Sequence, residues 1–390
     1  MNPMSESGHL EIRPLVEHLR ALAVPALGRM YRSEERLFAF RLRRTPTGDA
    51  LEGISRRYTA ISLIGLATED DRAVAEALHG QSLDDVCEHL IRSVNGTSEL
   101  GEAALALWAA RLLHHSAARD ALRHVQELKP VQSPCTTVEL CWCLTALSVA
   151  GSADRDDGLA EALAARLLSL YSSSSSFFAH WPTDATPSRL RAHVACFADL
   201  VYPIQALSYY YRATRHEAAL SAARHCAART CALQGPEGQW WWHYDIRTGR
   251  VIEGYPVYSV HQNAMAPMAL FALEEAGGDD FAAAVSRGLQ WLACAPEIRG
   301  SLIDDRAGII WRKVARHECG KAVRTAQALA SRLHPSLRVP GLNWIARPGW
   351  IDFESRPYCM GWLLHAWPAE RVARLGSRPV ALGRPTGTGT

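Results

Sequence analysis

The 390-residue sequence lacks any run of about 18 uninterrupted apolar residues, so it predicts no membrane-spanning helix. It also lacks an excess of charge of either sign, because 42 Lys and Arg side chains face 40 Asp and Glu side chains. Nucleic-acid-binding surfaces are strongly basic, so we expect no nucleic-acid partner. The N-terminal stretch MNPMSESGHLEIRPLVEHLRAL has neither the basic segment nor the apolar segment of a secretory signal.

Motifs for the common cofactors and nucleophiles are missing as well. There is no phosphate-binding loop G-x-x-x-x-G-K-[ST], no G-x-G-x-x-G after a strand, no G-x-S-x-G and no H-E-x-x-H. The pairs Cys141/Cys143 and His193/Cys196 lie in helical patterns without a second pair, which argues against a zinc site. We therefore expect neither a cofactor nor a bound metal.

The ten cysteines lie mostly inside apolar helical stretches, as in VELCWCLTAL and ARHCAARTCAL. Buried free thiols of this kind are typical of proteins in a reducing compartment. The composition therefore predicts a cytoplasmic protein.

Helical periodicity dominates from about residue 57 to residue 334. In ELGEAALALWAARLLHH, side chains at 100, 104, 107, 108 and 112 recur at the spacing of a half-buried helix. Comparable stretches lie at about 58–67, 83–95, 116–128, 135–149, 157–172, 191–213, 216–233, 259–276, 280–293 and 313–333. Strand-like alternation is scarce, and RLFAFRLRR at 36–44 is its best example.

An internal repeat indicates how these helices are arranged. Residues 269–292 align without gaps onto 206–229, an offset of 63, and 146–168 follow the same plan of helix, polar turn and helix. A single helix pair cannot bury its apolar faces, so stacked pairs are expected to share one core. We predict an all-α fold, an α/α toroid of about six helical hairpins, with an open solenoid as the alternative.

The same patterns suggest how the chain is divided. We expect 1–56 to form an N-terminal helix and extended segment that packs on the toroid, 57–374 to form the toroid, and 375–390 to be a disordered tail. The oligomeric state is not indicated by the sequence.

Three long segments escape the helical pattern, at 173–190, 234–258 and 334–358. Each precedes an apolar helix and carries aromatic residues that are unusual in exposed linkers. Loops this long in a compact domain are often functional. In a closed ring of hairpins, the loops before the inner helices meet at one mouth, so we expect a site there.

The richest of these segments is QWWWHYDIRTGRVIEGYPVYSVHQ, residues 239–262. In an extended chain, Trp240 and Trp242 share one face and Trp241 the other, so one can pack into the core while another forms a platform. Ser259 and Gln262 match a helix capping box. His261 would then lie in a first helical turn, which would hold it neutral. The candidate catalytic residues are Tyr244, Asp245, Tyr258 and His261; the candidate substrate-binding residues are Trp240, Trp242, Tyr255 and Gln262.

A second polar cluster stands in WIDFESRPYCMGWLLHAW, again before an apolar helix. It adds Glu354 as a catalytic candidate and Arg356 and Tyr358 as substrate-binding candidates, although an ordinary ion pair at a helix start explains the two charges as well. A weaker cluster offers four polar side chains, those of Asp304, Asp305, His317 and Glu318. Proline inside two helical patterns, at 203 and 267, indicates either kinks or a helix that restarts.

Residues 240–285 resemble the helical C-terminal region of glucuronyl epimerases that act on uronic-acid polymers. The matching positions are Trp242, Tyr244, Asp245, Gly249, Tyr258, His261, Gly278, Asp279 and Phe281. The chain is also similar to the six-hairpin toroids of glycosidases and polysaccharide lyases, and more weakly to those of terpene cyclases and protein prenyltransferases. The diagnostic acidic motifs D-x-D-D and D-D-x-x-D of the latter are missing.

These resemblances imply a carbohydrate-active enzyme, an epimerase, lyase or glycosidase, that acts on a polysaccharide or its biosynthetic intermediate. An epimerase or lyase would use Tyr244, Tyr258 or His261 as base and acid, and Arg356 would neutralise a substrate carboxylate. A glycosidase would use Asp245 and Glu354 as its two carboxylates. The alternatives are a terpenoid cyclase-like enzyme with Asp304 or Asp305 as its acid, and a helical-repeat scaffold without catalysis.

Overall fold

The computed structural model describes residues 11–149, 156–182, 190–318 and 321–375. Its α-helices in chain order are α1 Ile12–Met30, α2 Arg56–Leu66, α3 Asp71–Ala77, α4 Leu83–Val94, α5 Leu100–Leu112, α6 Ala118–Glu127, α7 Thr137–Ser148, α8 Asp157–Ser169, α9 Ala198–Thr214, α10 Glu217–Ala232, α11 Ala266–Glu275, α12 Ala282–Ala293, α13 Ala322–Leu333, α14 Leu342–Ile345, α15 Pro357–Ala366 and α16 Ala369–Arg374. A π-helical turn at His261–Met265 leads directly into α11.

The strands are short, and all of them lie in the connections between helices. In chain order they are β1 Tyr31–Arg32, β2 Leu37–Phe38, β3 Arg41–Thr45, β4 Gly48–Glu52, β5 Tyr171–Ser172, β6 Phe177–Phe178, β7 Val194–Cys196, β8 His243–Asp245, β9 Arg250–Glu253, β10 Val257–Tyr258, β11 Ile303–Asp304, β12 Ile309–Ile310, β13 Lys313–Arg316, β14 Pro348–Asp352 and β15 Glu354–Ser355. Three of the sheets have three strands each, in the orders β7-β8-β9, β10-β13-β14 and β15-β3-β4, and every pairing is antiparallel.

Six inner helices form a closed ring. Helices α2, α5, α7, α9, α11 and α15 each pack against the next, and α15 returns to pack against α2. At this closing contact, a Cβ atom on Gly65 would lie 2.2 Å from the carbonyl oxygen of Gly361, so only glycine allows the two backbones to approach so closely. The predicted all-α toroid is confirmed, and the open solenoid is wrong.

The inner helices are apolar on all sides because they are covered from both directions. In α5, eleven residues of LGEAALALWAARL are buried, including Trp108. The outer layer is more strongly amphipathic: α4 and α6 pack on α5, α8 packs on α7, α10 packs on α9, and α12 packs on the π-helical turn. Helix α1, from the N-terminal segment that we expected to pack on the toroid, contacts α15 and so covers the inner helix that closes the ring.

The aligned repeats correspond to equivalent hairpins. Residues 206–229 span the end of α9 and most of α10, and 269–292 span α11 and α12. Pro203 lies inside α9, whereas Pro267 is the second residue of α11 and directly follows the π-helical turn, where the helical hydrogen-bond pattern changes. Of the predicted disordered tail, 376–390 lie outside the described residues.

Two predicted helical stretches begin too early. The stretch at 191–213 starts with β7, and the stretch at 313–333 starts with β13, whose residues Val314 and Arg316 are buried. Short segments with two or three apolar residues fit both periodicities, so the pattern alone did not separate strand from helix. Among the described residues, no helix combines the length and apolar character needed to cross a membrane.

Candidate active site

The N-terminal ends of the inner helices meet at one mouth of the ring, as their side-chain contacts demonstrate. Arg57 of α2 pairs with Glu99, just before α5, at 2.9 Å and with Glu139 of α7 at 3.2 Å. Tyr58 of α2 accepts a hydrogen bond from Arg356, just before α15, at 2.7 Å. These links join four of the six helix starts, so the predicted convergence of the preceding loops is present.

A histidine and an aspartate form a close pair at this mouth. His180 follows β6, and its Nδ1 lies 2.8 Å from Oδ1 of Asp199 in the first turn of α9. The second carboxylate oxygen accepts a hydrogen bond from the backbone N–H of Cys196 at 2.8 Å, which fixes its orientation. The Asp199 side chain is fully buried, whereas 39% of the His180 side chain is exposed. One partner is therefore held rigidly and the other can reach a bound molecule.

The charge of this pair alters the acidity of the histidine. Burial lowers the pKa of His180, but the neighbouring Asp199 carboxylate outweighs it and raises the pKa above its ordinary value. With Nδ1 engaged by Asp199, the other ring nitrogen remains for proton transfer. Sequence reasoning missed this pair, although the long aromatic segment 173–190 and the acid in a first helical turn were visible signals.

The same corner contains the one cluster of metal-ligating side chains found among the described residues. Donor atoms of His180, Cys196 and Asp199 all lie within 4.8 Å of one another. A thiol binds a metal as thiolate, but burial and the Asp199 charge raise the pKa of Cys196 well above its ordinary value. Both carboxylate oxygens of Asp199 are already engaged, one by His180 and the other by the backbone N–H of Cys196, so the absence of a metal site remains our prediction.

An aromatic wall stands beside this pair. Trp242 and His261 are stacked, with ring planes 12° apart and centroids separated by 5.7 Å, and Tyr258 lies 4.8 Å from Trp242. Phe197 covers the other side of His261 at 4.4 Å. Trp242 is only half-buried, so its face can form the predicted platform.

The three consecutive tryptophans divide as their alternation predicts. Trp240 and Trp242 lie on the side of Phe197 and His261, whereas Trp241 packs against Tyr255 on the other side. Trp240 is buried against Phe197, so it is a core residue and cannot serve as a substrate platform. Of the two tryptophans predicted to bind substrate, Trp242 is the more exposed.

His261 is held neutral, but for a different reason from the one predicted. Burial lowers its pKa to about 3, so the imidazole carries no charge at pH 7. The predicted capping box is not formed, because the Ser259 hydroxyl donates to the Arg312 carbonyl and the Gln262 amide donates to the Tyr258 carbonyl. Gln262 also accepts from the backbone N–H of Trp240 at 3.3 Å, so it connects parts of the protein rather than facing a ligand.

Two predicted catalytic residues of strand β8 are poorly placed for their roles. Tyr244 is fully buried edge-on against Phe177, and burial raises its pKa far above the ordinary value. Asp245 is buried and holds Arg247 through both oxygens, at 3.0 and 2.7 Å. Both findings argue against the predicted catalytic roles, because a general acid or base must reach the substrate.

The second predicted cluster is a buried ion-pair network. Arg41, Arg312 and Arg356 all donate to the Glu354 carboxylate, which is 3% exposed. Burial raises the pKa of Glu354, but the charges of Arg312 and Arg356 outweigh it, and the pKa is lowered overall. Glu354 is therefore a carboxylate that is already neutralised by arginines, and it shares no hydrogen-bond partner with Asp245.

The remaining predicted residues have mostly structural partners. Tyr255 donates to Glu297 at 2.7 Å, and Tyr358 packs against Tyr58 with ring centroids 4.8 Å apart. Asp304 accepts from Trp311 and Arg44, and Asp305 forms an exposed pair with His18 of α1.

No protein-family model matches this chain, and no curated protein matches it by sequence. Solved structures do match it across nearly their whole length. An unsaturated glucuronyl hydrolase specific for heparin superposes with a TM-score of 0.59 at 14% identity, covering 95% of this chain and 99% of its own. Cellobiose 2-epimerase from Bacillus thermoamylovorans superposes with a TM-score of 0.59 at 10% identity, covering 92% of this chain and 100% of its own. A sugar epimerase from a ruminal bacterium superposes with a TM-score of 0.56 at 11% identity, covering 91% of this chain and 98% of its own. At these identities the likeness shows the fold, and it confirms the α/α toroid.

Proposed function

We propose that this protein is a carbohydrate-active enzyme that performs acid/base chemistry at the mouth of the toroid. The observation that carries the proposal is the pairing of a half-exposed His180 with a fully buried Asp199 at the start of an inner helix. The similar structures act on sugars according to their names, as a glucuronyl hydrolase and two sugar epimerases. The aromatic wall around Trp242 suits the apolar face of a sugar ring.

In the proposed mechanism, Asp199 positions His180 and stabilises its protonated form. The ring nitrogen that does not face Asp199 accepts a proton from the substrate or from a water molecule, and returns it later in the reaction. Proton transfer by a positioned side chain contributes a rate increase of about 100- to 10,000-fold. Tyr258 and the neutral His261, both predicted from the sequence, lie in the adjacent wall, but they are only 6% and 3% exposed. Either would have to be uncovered by a movement of the wall before it could act as the second proton-transfer group.

Among the reaction types, the ion pairing favours proton abstraction over a two-carboxylate glycosidase. The carboxylates predicted for a glycosidase, Asp245 and Glu354, are each bound to arginine. A nucleophile or general base held in such a pair would first have to lose its partner. An epimerase or lyase would need one positioned base instead, and His180 meets that description. We therefore place epimerisation first, elimination second and hydrolysis third.

The test is a reaction screen in deuterated water with neutral disaccharides, uronic-acid oligosaccharides and prenyl diphosphates, followed by proton NMR. Epimerisation would introduce deuterium at one carbon, elimination would form a double bond, and hydrolysis would form new reducing ends. The proposal expects turnover of at least one saccharide, reduced at least about 100-fold in His180→Gln. Turnover of prenyl diphosphates alone, or full activity in His180→Gln, would overturn it.

A further inference from the structure

A cleft of about 370 Å³ lies next to the aromatic wall, and neither His180 nor Asp199 lines it. It is an open cleft bordered by strand β13 and by the first turn of α13, and its charged and aromatic lining is formed by Lys313, Arg316, His317, Glu318, Arg324 and Trp350. Lys313 pairs in register with Tyr258, and its Nζ is 5.6 Å from the centre of the Tyr258 ring. The cleft and the proposed active site therefore share one wall.

Two of the three cations in the cleft have acidic partners. Lys313 pairs with Asp352 at 2.9 Å. Arg316 donates through Nε and one terminal nitrogen to Glu253, and through its other terminal nitrogen to the carbonyl of Ala346. The charges of these two side chains are therefore largely balanced within the protein.

The third cation, Arg324, is different. In the described parts of the chain, no acidic side chain lies within ion-pair distance of it and no acceptor receives a hydrogen bond from it, and its Nε is buried without a partner. The acid that shares the cleft, Glu318, accepts from the backbone N–H of Val323 at 2.6 Å and so caps the start of α13. A guanidinium group has five N–H donors, and one whose donors have no acceptor in the protein can bind an anion.

The charge of Arg324 also acts on the proposed active site. The pKa of His243 is lowered mainly by burial, then by the charge of Arg191 and then by the charge of Arg324. The pKa of Tyr258 is raised by burial, and the charges of Arg312 and, to a smaller extent, Arg324 oppose this increase. His180 acts on His243 as well. An anion bound at Arg324 would thus lie within electrostatic range of the residues around the His180–Asp199 pair.

We propose that this cleft binds a negatively charged substituent of the substrate, with Arg324 as the main ligand, Lys313 as a second cation and Trp350 as a flat face for the ring that carries the substituent. The substituent is a carboxylate, sulfate or phosphate group on a sugar. This inference rests on the proposed function and refines its substrate class. It also assigns anion binding to Arg324 instead of Arg356, because Arg356 already donates to Glu354 and to Tyr58.

Binding should be measured by titration calorimetry with three pairs of saccharides, each pair matched in size: a uronic-acid oligosaccharide, a sulfated sugar and a sugar phosphate, each with its neutral counterpart. The variant is Arg324→Gln. The control is Arg332→Gln, because Arg332 lies eight residues further along the same helix and is exposed. At least one anionic saccharide should bind more tightly than its neutral counterpart, and Arg324→Gln should weaken it by at least about tenfold. Arg332→Gln should leave it unchanged.

A parallel titration with inorganic sulfate separates the two proposals. If sulfate binding depends on Arg324 but no saccharide binds, the anion site stands and the carbohydrate function fails. If saccharides bind regardless of charge and equally in Arg324→Gln, the carbohydrate function stands and the anion site fails. If Arg324→Gln behaves like Arg332→Gln with sulfate and with every anionic saccharide, the inference is overturned.

Discussion

Nδ1 of His180 lies 2.8 Å from a carboxylate oxygen of Asp199, and the two residues join the long connection after α8 to the first turn of an inner helix. The aspartate is inaccessible and the histidine is not. This asymmetry separates a positioning residue from a reacting one. It also gives the pair a definite pH behaviour, because the pKa of the exposed partner depends on the charge of the buried one.

We expect Asp199→Asn to shift the pH dependence of turnover. In the wild-type protein, Asp199 raises the pKa of His180, so a reaction that needs neutral His180 should lose rate as the pH falls through that raised pKa. Removing the carboxylate charge should lower the pKa and move this acid limb to lower pH. The variant also loses the group that positions His180 and stabilises its protonated form, so kcat on the plateau above the limb should fall by at least about tenfold. A pH profile of kcat measures both effects; an acid limb at the wild-type pH would contradict the assignment.

The buried, neutral His261 should make stability depend on pH. Between the ordinary histidine pKa of 6.5 and the folded value of about 3, the unfolded chain binds a proton that the folded protein does not. Stability should therefore fall as the pH decreases through this window, by up to about 1.4 kcal/mol per pH unit from this residue. His261→Phe should reduce the dependence of the unfolding free energy on pH, measured by urea unfolding at pH 7, 6 and 5. An unchanged pH dependence would show that the pKa of His261 is not lowered in the folded protein.

The contact between Gly65 and Gly361 should be the most sensitive point of ring closure. Gly65→Ala places a methyl group against the carbonyl of Gly361, which we expect to cost about 1 to 3 kcal/mol or more. The matched control is Gly158→Ala in α8, where the nearest atom is 3.7 Å from the added Cβ; it should be neutral or slightly stabilising. Equal melting temperatures for the two variants would contradict the close approach.

Glu354→Gln distinguishes a structural network from a catalytic acid. Loss of its charge leaves four arginines around one buried site, which we expect to cost about 3 to 5 kcal/mol. Glu52→Gln, at a more exposed pair with the same Arg41, should cost about 1 kcal/mol or less. Chemical unfolding measures both. If Glu354→Gln keeps wild-type stability and loses turnover, Glu354 is catalytic, as the sequence first suggested, and our structural interpretation is wrong.

The sequence was informative about the fold because the fold is repetitive. The offset of 63 between two helix pairs, and apolar stretches of about a dozen residues, were enough to predict a ring of hairpins. Local composition also located the aromatic wall of Trp242, Tyr258 and His261. Each of these features depends on residues close together in the chain, where helical and extended periodicity apply directly.

The sequence was less informative about the site because its partners are distant or ambiguous. His180 and Asp199 are 19 residues apart and match no motif, so only the fold brings them together. Strand alternation could not show that both faces of β8 are covered, and so could not exclude Tyr244. By contrast, the ion pair of Asp245 with Arg247 was visible two residues away and should have lowered the weight given to Asp245.

The central claim is that a sugar reacts at the mouth of the toroid beside His180. The most direct measurement is a crystal structure of Asp199→Asn bound to a saccharide that the wild-type protein turns over. The account predicts a sugar ring against Trp242, with its reacting carbon, or a water molecule next to it, about 3 Å from the free ring nitrogen of His180. A saccharide bound away from this mouth, with the His180 nitrogen facing solvent, would contradict it.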